Sequence, residues 1–578
     1  MRLIYDMKNF QTNLFLGLLA SCILLAEGWL RPACAEWKVW TVKETRHILR
    51  SEPPGTNLAV RLAGARNEWE SFQIVMLSDT PVPGIKISPG FLNGPLDQSY
   101  IAWARLYREH QLFLETGTYR NTGFKPDWYP DALIPDGHPT PDKKLEDAQF
   151  KAMPFDLPAN ETHAFFVDVF THKILEGEFR GSIRVSSANG QTVGIPITLT
   201  VWDFKLPEVP TLETEFGDPA GQLRRYYSKQ KIPAPSDWGA VEEQCAQLLS
   251  EHRFNAVPPR EMLRPVAQGD GSYRIPAEQV KALGKYVERY HVNALQIPHP
   301  SSAVKDPELE RGKLRAWLAA FDQAAKELNR PHLVFYTYLK DEPNTLDDYR
   351  YVQKWGKAIR EAKPVVKVLV VEQTWTAPGQ GGADSAWGDL YGAVDIWCPL
   401  FSLHRQDSAA QRQALGEKIW TYTALCQGQP TPWWHTDFPL LNYRVPAWIA
   451  WRYRMCGLLY WGGMSYWKVD DPWKEAPYYT GNDNLQQGRK GLIFNGEGSL
   501  VYPAHAVGYD GIVPTNRLKA LRDAIEDYEY LAILERAGKA AEAEAIIKPL
   551  AESFFTWEKN PAAYEAARAQ LAALIVGK

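Results

Sequence analysis

The sequence has few cysteines, and no spacing brings them together as ligands or redox centres. Six cysteines occur among 578 residues, and no C-x-x-C pair is present. The four beyond the N-terminal segment are Cys245, Cys398, Cys426 and Cys456. Isolated cysteines of this kind are usually small, buried apolar residues. No H-E-x-x-H motif or tight cluster of His and Asp occurs either. The sequence therefore predicts no catalytic metal and no cofactor.

The sequence also lacks an excess of positive charge. Lys and Arg number 64 against 68 Asp and Glu, which gives a formal net charge of −4. Such a chain has no basic stripe to neutralise phosphates, which argues against a nucleic-acid partner. Beyond the N-terminal segment, no apolar run approaches the ~20 residues that a membrane-spanning helix needs. With 45% hydrophobic and 23% charged residues, the composition is typical of a globular protein.

The N-terminal segment has the features of a secretory signal peptide. Arg2 and Lys8 precede an apolar run over residues 14–26, and Ala-Cys-Ala at 33–35 is a small-x-small cleavage site. Cleavage there would start the mature protein at Glu36. We therefore expect export to the periplasm or the medium.

Residues 19–22, Leu-Ala-Ser-Cys, offer a second interpretation of this segment because they resemble the box of bacterial lipoproteins. In that case the chain would carry a lipid on Cys22. The apolar residues 23–25 that follow are atypical of such a box. The preferred interpretation is a cleaved signal peptide over residues 1–35.

Residues 36–205 have the pattern of a β-sandwich domain. Short β-rich runs alternate with turns rich in Pro, Gly and Asn, which is typical of such folds. The predicted strands cover residues 37–42, 71–76, 165–169, 181–185 and 195–201. Residues 116–155 are rich in Pro, Asp and Gly and are predicted to form a long loop. We expect this domain to support the one that follows.

Strands and helices alternate from residue 206 onward. Eight candidate strands occupy residues 212–216, 255–258, 294–298, 333–339, 366–371, 396–400, 432–436 and 458–461. Helical patterns lie between them at 241–252, 277–290, 314–328, 349–362, 409–425 and 446–454. This alternation predicts an α/β fold, a (β/α)8 TIM-like barrel over residues 206–513. Residues 514–578 are predicted to form C-terminal helices that complete and flank the barrel.

The most informative motif is Asp341-Glu342-Pro343, which follows the apolar run of residues 333–339. The carboxyl ends of barrel strands form the active-site face, so we expect both carboxylates there. Side by side they repel one another, which raises the proton affinity of one of them, as general acid catalysis requires. Glycoside hydrolysis combines such a proton donor with a second negative group. The structural alternative is that Asp341 caps the next helix or pairs with Lys340.

Other side chains are predicted to line the barrel mouth, where aromatic rings stack on sugars and polar groups bind hydroxyls. Trp461 is the preferred sugar platform and Trp434 the second. The remaining predicted substrate-binding residues are His435, Tyr460, Asp437, Tyr338 and Glu372. The alternative for the aromatic residues is core packing, and for His435 a structural role.

Two further groups of residues stand out after the last predicted strand. A charge-rich helix face is interpreted as ion-paired and structural. Its members are Arg517, Arg522, Asp523, Glu526, Asp527 and Glu529. Glu497 and Tyr502 lie in a Gly-rich loop and are assigned no role.

Three segments together resemble glycoside hydrolase family 123. Residues 338–343 contain the carboxylate pair, residues 446–461 contain Pro-Ala-Trp-Ile-Ala-Trp and Gly-Leu-Leu-Tyr-Trp, and residues 496–531 begin Gly-Glu-Gly-Ser-Leu-Val-Tyr-Pro. The resemblance covers residues 206–534, and an N-terminal sandwich fits the family's layout. One departure is Ala504, where the family pattern has Gly.

The resemblance implies a retaining, β-N-acetylgalactosaminidase-like enzyme that uses the substrate's own 2-acetamido group as nucleophile. By position, Glu342 would be the general acid/base. Asp341 would orient and polarise the acetamido nitrogen as its carbonyl oxygen attacks the anomeric carbon to give an oxazolinium. An internal nucleophile removes the need for a second carboxylate about 5 Å across the bond. The expected partner is a glycan with an N-acetylhexosaminide unit.

Two other functions stay open at this point. A conventional two-carboxylate retaining glycosidase would act on a sugar without an acetamido group. The predicted seventh strand offers Asp437 and no Glu, so Glu372 would have to act as nucleophile. A non-catalytic glycan-binding protein is the other possibility. Two mutually repelling carboxylates argue against it, because binding alone gains nothing from them.

Overall fold

The computed structural model describes residues 37–95, 99–100, 104–171, 175–376, 388–425, 427, 430–481 and 490–577. The predicted signal peptide, the alternative lipid site at Cys22, and Cys426 lie outside the described residues. The description below concerns the described ranges alone.

The N-terminal region forms two sheets. Its strands are β1 Lys38–Lys43, β2 Val60–Arg66, β3 Trp69–Leu77, β4 Val82–Asn93, β5 Ser99–Tyr100, β6 Ala104–Leu114, β7 Asp127–Pro135, β8 Phe155–Leu157, β9 His163–Phe170, β10 Gly177–Ser186 and β11 Thr192–Lys205. One sheet has the order β1-β3-β9-β6-β7, and the other has the order β2-β11-β10-β4-β5, with β8 paired to β4. All pairs are antiparallel except β2 with β11.

The two sheets share one hydrophobic core. Alternate residues of β3 and β9, such as Phe72, Ile74 and Val167, meet alternate residues of β10 and β11, such as Ile183 and Leu199. This period of two is the pattern that a half-buried strand requires. It is also the pattern that predicted these strands.

The long loop predicted over residues 116–155 is wrong in part, because it contains β7 and the start of β8. Pro130 and Pro135 lie within β7 and made the segment look irregular. β7 is the edge strand of its sheet, paired with β6. Proline is tolerated at such an edge, because a missing N–H there costs no ladder hydrogen bond.

The second region is built on a parallel sheet of seven strands that closes almost into a barrel. These strands are β12 Glu213–Glu215, β15 Ala294–Gln296, β16 Val334–Asp341, β17 Lys367–Val371, β18 Ile396–Trp397, β19 Lys418–Tyr422 and β20 Gly457–Leu459. Their order is β12-β20-β19-β18-β17-β16-β15. Short antiparallel pairs join β13 Val266–Ala267 with β14 Tyr273–Arg274, β21 Tyr478–Thr480 with β22 Ile493–Asn495, and β23 Val501–Pro503 with β24 Ile512–Pro514.

Helices surround this sheet. They are α1 Pro219–Gln230, α2 Trp238–Glu251, α3 Ala277–Arg289, α4 Arg311–Leu328, α5 Leu346–Glu361, α6 Gln406–Ala414 and α7 Leu441–Arg452. The inner face of the sheet has its own core, which includes Tyr336, Leu369, Trp420 and Leu459. The alternate residues of the same strands pack outward against the helices. None of the described helices has both the length and the apolar character of a transmembrane segment.

The prediction of eight strands is corrected to seven, since residues 255–258 form no strand. Pro258 and Pro259 lack the N–H that a ladder needs. Asn255 joins the neighbouring strands instead. Its Nδ2 donates to the Thr214 carbonyl at 2.9 Å and to Asn293 Oδ1 at 2.8 Å, and Asn293 N donates back to Asn255 Oδ1 at 2.9 Å.

The predicted strand over residues 432–436 is also wrong, because that segment is a loop. The strand is β19, which occupies the second half of the predicted helix 409–425. Helix α6 ends at Ala414, and Gly416 turns the chain at φ +80°. Lys418 forms an ion pair with Glu213, and Trp420 Nε1 donates to Glu213 at 2.8 Å. The partner of these polar residues is remote in sequence, so the local pattern did not reveal the strand.

The C-terminal helices are α8 Asn516–Arg536, α9 Ala540–Ile547 and α10 Pro561–Val576. Helix α8 lies between the sandwich and the barrel and is almost fully buried. Arg517 forms a bidentate pair with Asp131 of β7 at 2.7 and 2.8 Å. Lys519 and Arg522 contact Asp168 of β9 at 2.5 and 3.0 Å. The charge-rich helix face is therefore ion-paired, as predicted, and it joins the two regions.

Candidate active site

The carboxylate pair lies at the carboxyl end of β16, and a β-bulge determines which way each residue faces. Tyr338 pairs with Leu369 in β17, but Lys340 pairs with Val370 and Asp341 with Val371. Leu369 and Val371 belong to the inner core of the barrel. The extra residue before Lys340 therefore reverses the alternation and brings Asp341 to the inner face.

Lys340 takes the outward direction. Its Nζ contacts Asp348 Oδ1, in the first turn of α5, at 2.6 Å. The cap of α5 is Thr345, whose side chain accepts from the backbone N–H of Asp348 at 3.1 Å. The alternative in which Asp341 caps this helix or pairs with Lys340 is thus corrected, because Thr345 and Asp348 fill those two roles.

Each carboxylate accepts a hydrogen bond from a tyrosine of the barrel interior. The hydroxyl of Tyr338 donates to Asp341 Oδ1 at 2.9 Å. The hydroxyl of Tyr422, at the end of β19, donates to Glu342 Oε1. Glu342 has a φ of +37°, and Pro343 follows it. A non-glycine residue in the left-handed region costs of order 1–3 kcal/mol and persists only where its surroundings enforce it, as at active sites.

The charge of Asp341 affects the groups beside it. Burial, and next the Asp341 carboxylate, raises the pKa of Tyr338 well above its usual value. The same two causes raise the pKa of Cys398. Tyr338 is therefore a phenol at neutral pH and acts as the donor to Asp341. Asp341 itself is exposed and Glu342 is half-buried, so both carboxylates are open to a ligand.

Trp461 follows β20 at the carboxyl end of the barrel strands, the end that also carries the carboxylate pair. Tyr422, which contacts Glu342, is opposite Leu459 in β20, and Trp461 is two residues beyond Leu459. The Trp461 ring is half-buried, and its Nε1 donates to Glu497 Oε1 at 2.5 Å. Tyr466 and Tyr479 pack against it with ring centroids at 5.0 and 5.8 Å. The predicted platform is thus a partly open indole at the barrel rim.

Two other predicted aromatic residues are closed to solvent. Trp434 is 1% exposed, and its Nε1 donates to the Asn442 carbonyl at 3.0 Å. Tyr460 is also 1% exposed, and its hydroxyl accepts from the backbone N–H of Gly498 at 2.8 Å. A sugar would reach either ring only after the surrounding core had moved.

His435 and Asp437 have partners within the protein. His435 is 1% exposed, and its Nδ1 lies 3.4 Å from Glu497 Oε2. Asp437 accepts from the backbone N–H and the hydroxyl of Thr118 at 2.7 and 2.5 Å, and from Asn121 Nδ2 at 3.0 Å. Asp437 therefore ties the segment before β7 to the barrel. Glu372 is 6% exposed and directly follows Val371, the partner of Asp341.

Two residues of this site were missed from the sequence, namely Tyr422 and Glu215. Glu215 ends β12 and accepts hydrogen bonds from Tyr336 and from the Gly217 N–H, the latter at 2.9 Å. Burial raises the pKa of Glu215. The sequence did contain a signal for these strands. Side chains with polar groups occupy every second position, namely Glu213 and Glu215 in β12, and Lys418, Trp420 and Tyr422 in β19. That signal was lost for β19 because the segment was predicted to be helical.

No group of three His, Cys, Asp or Glu side chains suited to a metal ion occurs among the residues that the structure describes. The site consists of two adjacent carboxylates at a barrel strand end, two tyrosine donors and a partly open indole. Two adjacent carboxylates at a strand end, with an aromatic ring on the same rim, are an arrangement that glycoside hydrolysis can use.

Residues 303–534 match the family model described as glycoside hydrolase 123, catalytic domain. The resemblance deduced from the motifs is thereby confirmed over this range, which contains the carboxylate pair and Trp461. The chain carries a glycoside hydrolase 123 catalytic domain and is a glycosidase.

Solved structures give a consistent result for the fold. A family 123 glycoside hydrolase from Clostridium perfringens, described in relation to glycolipid glycan hydrolysis, is 14% identical, with a TM-score of 0.62. The match covers 94% of this chain and 97% of that one. A family 39 glycoside hydrolase from Bacteroides cellulosilyticus WH2 is 10% identical over 83% of this chain and 82% of that one. Its TM-score of 0.30 is too low to support an argument. A search of curated proteins found no significant match.

Proposed function

We propose that this protein is a retaining, β-N-acetylgalactosaminidase-like glycosidase that uses the 2-acetamido group of its substrate as nucleophile. The observation that carries the proposal is the bulge in β16, which turns Asp341 inward next to Glu342. Two adjacent carboxylates on one strand end act on the same side of a sugar. A conventional retaining pair instead flanks the bond at about 5–5.5 Å.

In the first step, Glu342 gives its proton to the glycosidic oxygen as the bond from that oxygen to the anomeric carbon breaks. The acetamido carbonyl oxygen attacks the anomeric carbon and forms an oxazolinium ion. Asp341 accepts a hydrogen bond from the acetamido N–H and stabilises the positive charge that develops there. The leaving group departs with the proton from Glu342.

In the second step, water attacks the anomeric carbon and gives its proton to the Glu342 carboxylate. The bond between the anomeric carbon and the carbonyl oxygen breaks, the acetamido group is restored, and the product keeps the β configuration. Tyr422 and Tyr338 support this scheme because each orients one carboxylate through a hydrogen bond.

The test compares hydrolysis of aryl β-N-acetylgalactosaminide and aryl β-galactoside. We expect only the N-acetyl substrate to be cleaved and a thiazoline analogue of the oxazolinium to inhibit. Asp341→Asn and Glu342→Gln should each lower kcat by about 10²- to 10⁴-fold. The matched control is Asp347→Asn, a carboxylate that is exposed in the first turn of α5 and should leave kcat unchanged. Cleavage of the galactoside at a similar rate would contradict the proposal.

A second candidate is a two-carboxylate mechanism with Glu372 as nucleophile. The position of Glu372 favours this mechanism. Glu372 is buried and directly follows Val371, which pairs with Asp341 in the sheet. Glu372→Gln distinguishes the two. In the acetamido mechanism this variant keeps kcat within about tenfold, whereas loss of a nucleophile abolishes turnover.

We also propose export through cleavage after residue 35. Support comes from Arg2 and Lys8 before the apolar residues 14–26 and from Ala-Cys-Ala at 33–35. N-terminal sequencing of the secreted protein should begin at Glu36. A lipid-modified start at Cys22 would contradict this proposal.

A further inference from the structure

Glu497 is a buried acid that the proposed mechanism does not use. It lies between β22 and β23 in the turn Asn495-Gly496-Glu497-Gly498 and is 2% exposed. Both glycines have a φ of +74°. A Cβ on Gly496 would lie 2.2 Å from Thr436 Oγ1, and one on Gly498 would lie 3.0 Å from Tyr466 Cβ and 3.1 Å from the Trp461 ring. The turn therefore requires glycine on either side of Glu497.

The carboxyl group of Glu497 accepts a hydrogen bond from the backbone N–H of Leu425, and its two oxygens also face two different side chains. Oε1 accepts from the indole Nε1 of Trp461 at 2.5 Å. Oε2 lies 3.4 Å from Nδ1 of His435, which is 1% exposed. His435 also has a hydrogen bond to the backbone of Asn495. A neutral carboxyl group fits this arrangement, since its hydroxyl can donate toward Nδ1 while its carbonyl oxygen accepts from the indole.

Among the described residues, no Lys or Arg forms an ion pair with Glu497. Arg517 of α8 binds the carbonyl oxygen of Gly496 at 3.1 Å, but its other nitrogens are engaged with Asp131. Tyr460, on the barrel side, stays protonated because burial raises its pKa. Burial also raises the pKa of Glu497 to about 8 and lowers that of His435 to about 3. Both members of the pair are therefore neutral at pH 7.

We propose that Glu497 is a positioning residue that holds the Trp461 indole in the orientation that binds the sugar, with His435 as its second anchor. The inference rests on the proposed function to the extent that Trp461 is the sugar platform. The indole is held by the hydrogen bond to Glu497, by the close backbone of Gly498 and by the rings of Tyr466 and Tyr479. Loss of the hydrogen bond frees the ring to rotate, which weakens binding of the sugar.

The inference predicts different behaviour for two substitutions. Glu497→Gln keeps both contacts, because the amide oxygen accepts from Trp461 and the amide N–H points toward His435 Nδ1. Glu497→Leu keeps the volume but removes both. Above about pH 8 the wild-type group loses its proton, and its second oxygen then faces the lone pair of His435 Nδ1. The amide has no such titration.

The experiment uses two readouts on the full chain. The first is the indole ¹⁵N–¹H resonance of Trp461, assigned by its absence in Trp461→Phe and followed from pH 6 to 10. We expect it to shift near pH 8 in the wild type, to stay constant in Glu497→Gln, and to move at all pH values in Glu497→Leu. The second readout is KM and kcat for the aryl N-acetylgalactosaminide over the same range.

For the wild type, KM should rise about three- to tenfold above pH 8, because the ionised carboxylate faces the lone pair of His435 Nδ1, and its displacement also displaces the indole that it holds. In Glu497→Gln, KM should stay constant with pH. At pH 7, Glu497→Leu should already have a KM as high as that of the wild type above pH 8, and its kcat should stay within about threefold of the wild-type value. If the Trp461 resonance in the wild type is insensitive to pH, or if Glu497→Gln titrates like the wild type, the inference is overturned. If the Trp461 resonance behaves as expected but no N-acetyl substrate is cleaved, the contact between Glu497 and Trp461 is supported and the proposed function fails.

Discussion

Tyr422 donates its phenolic hydrogen to Oε1 of Glu342, although two strands separate β19 from β16 in the sheet. The contact fixes the acid from the barrel interior, where Tyr422 is buried. It thus links the orientation of Glu342, the proposed general acid, to the packing of the core. A glutamate in a strained backbone conformation needs such support to keep one side-chain direction.

Tyr422→Phe should lower kcat about tenfold, because the acid loses the donor that orients it, and leave KM within about twofold. Steady-state kinetics with the aryl N-acetylgalactosaminide would measure both. The matched control is Tyr453→Phe, which removes a hydroxyl bonded to the Glu552 carbonyl at 2.6 Å on the outside of the barrel. Equal kinetics for the two variants would show that the Tyr422 contact does not orient the acid.

The bulge in β16 leads to a second prediction, about neighbouring residues. Lys340 points outward to Asp348, whereas Asp341 points inward. Lys340→Ala should therefore keep kcat/KM within about twofold and cost at most about 1 kcal/mol of stability, as for other partly exposed ion pairs. Asp341→Asn should lower kcat by about 10²- to 10⁴-fold without loss of stability. A large loss of activity in Lys340→Ala would mean that the lysine, too, reaches the substrate.

These two contacts show what the sequence could reveal about the site. The apolar run before Asp341-Glu342 correctly predicted a strand that ends in carboxylates. Strict alternation from Tyr338, however, would have turned Lys340 inward and Asp341 outward, and only the register with β17 exposes the bulge. Tyr422 could not be assigned because its partner is 80 residues away in sequence.

The fold was predictable to a similar extent. The strands with regular period-two burial, such as β10 and β11, were identified correctly. The errors fell where a remote partner compensates for an unfavourable local pattern. Asn255 replaces a strand by side-chain hydrogen bonds, and Glu213 stabilises Lys418 and Trp420 inside the barrel. Such compensation is a tertiary property, which local periodicity does not report.

Asp168 provides a prediction for stability. It is 0% exposed and accepts from Ser71, Lys519 and Arg522 at 2.5, 2.5 and 3.0 Å. Asp168→Asn leaves the buried Lys519 without its counter-charge and leaves Arg522 with Asp523, and we expect a loss of about 3–5 kcal/mol in the free energy of unfolding. Urea unfolding would measure it.

The control for Asp168→Asn is Glu361→Gln, the same chemical change in an exposed pair with Arg311. It should cost about 0–1 kcal/mol. Similar losses for the two variants would show that burial does not distinguish these ion pairs.

Glu109 and His110 are adjacent in β6, and their pKa values shift on folding in opposite directions. Burial raises the pKa of Glu109 to about 8 and lowers that of His110 to about 4. The stability that neutral Glu109 contributes is therefore lost as pH rises from about 4.5 to 8. The stability that neutral His110 contributes is lost as pH falls from about 6.5 to 4.

Glu109→Gln should accordingly gain stability relative to the wild type as pH rises through 4.5–8, and His110→Gln should gain as pH falls through 6.5–4. The difference in the free energy of unfolding between each variant and the wild type should change by at most about 1.4 kcal/mol per pH unit. Urea unfolding of the three proteins at several pH values would test this. If the stability of the two variants, relative to the wild type, changed with pH in the same direction, the opposite pKa shifts of Glu109 and His110 would be contradicted.

The ion pairs along α8 also determine how this chain can change in evolution. The carboxylates Asp131 and Asp168 come from sandwich strands, whereas their cations come from a helix near the other end of the chain. A recombination event that exchanged the sandwich for an unrelated one would leave Arg517, Lys519 and Arg522 facing apolar strands. Functional chimaeras should therefore require donors with an acid at both register positions, so that sandwich and catalytic domain are inherited as one unit.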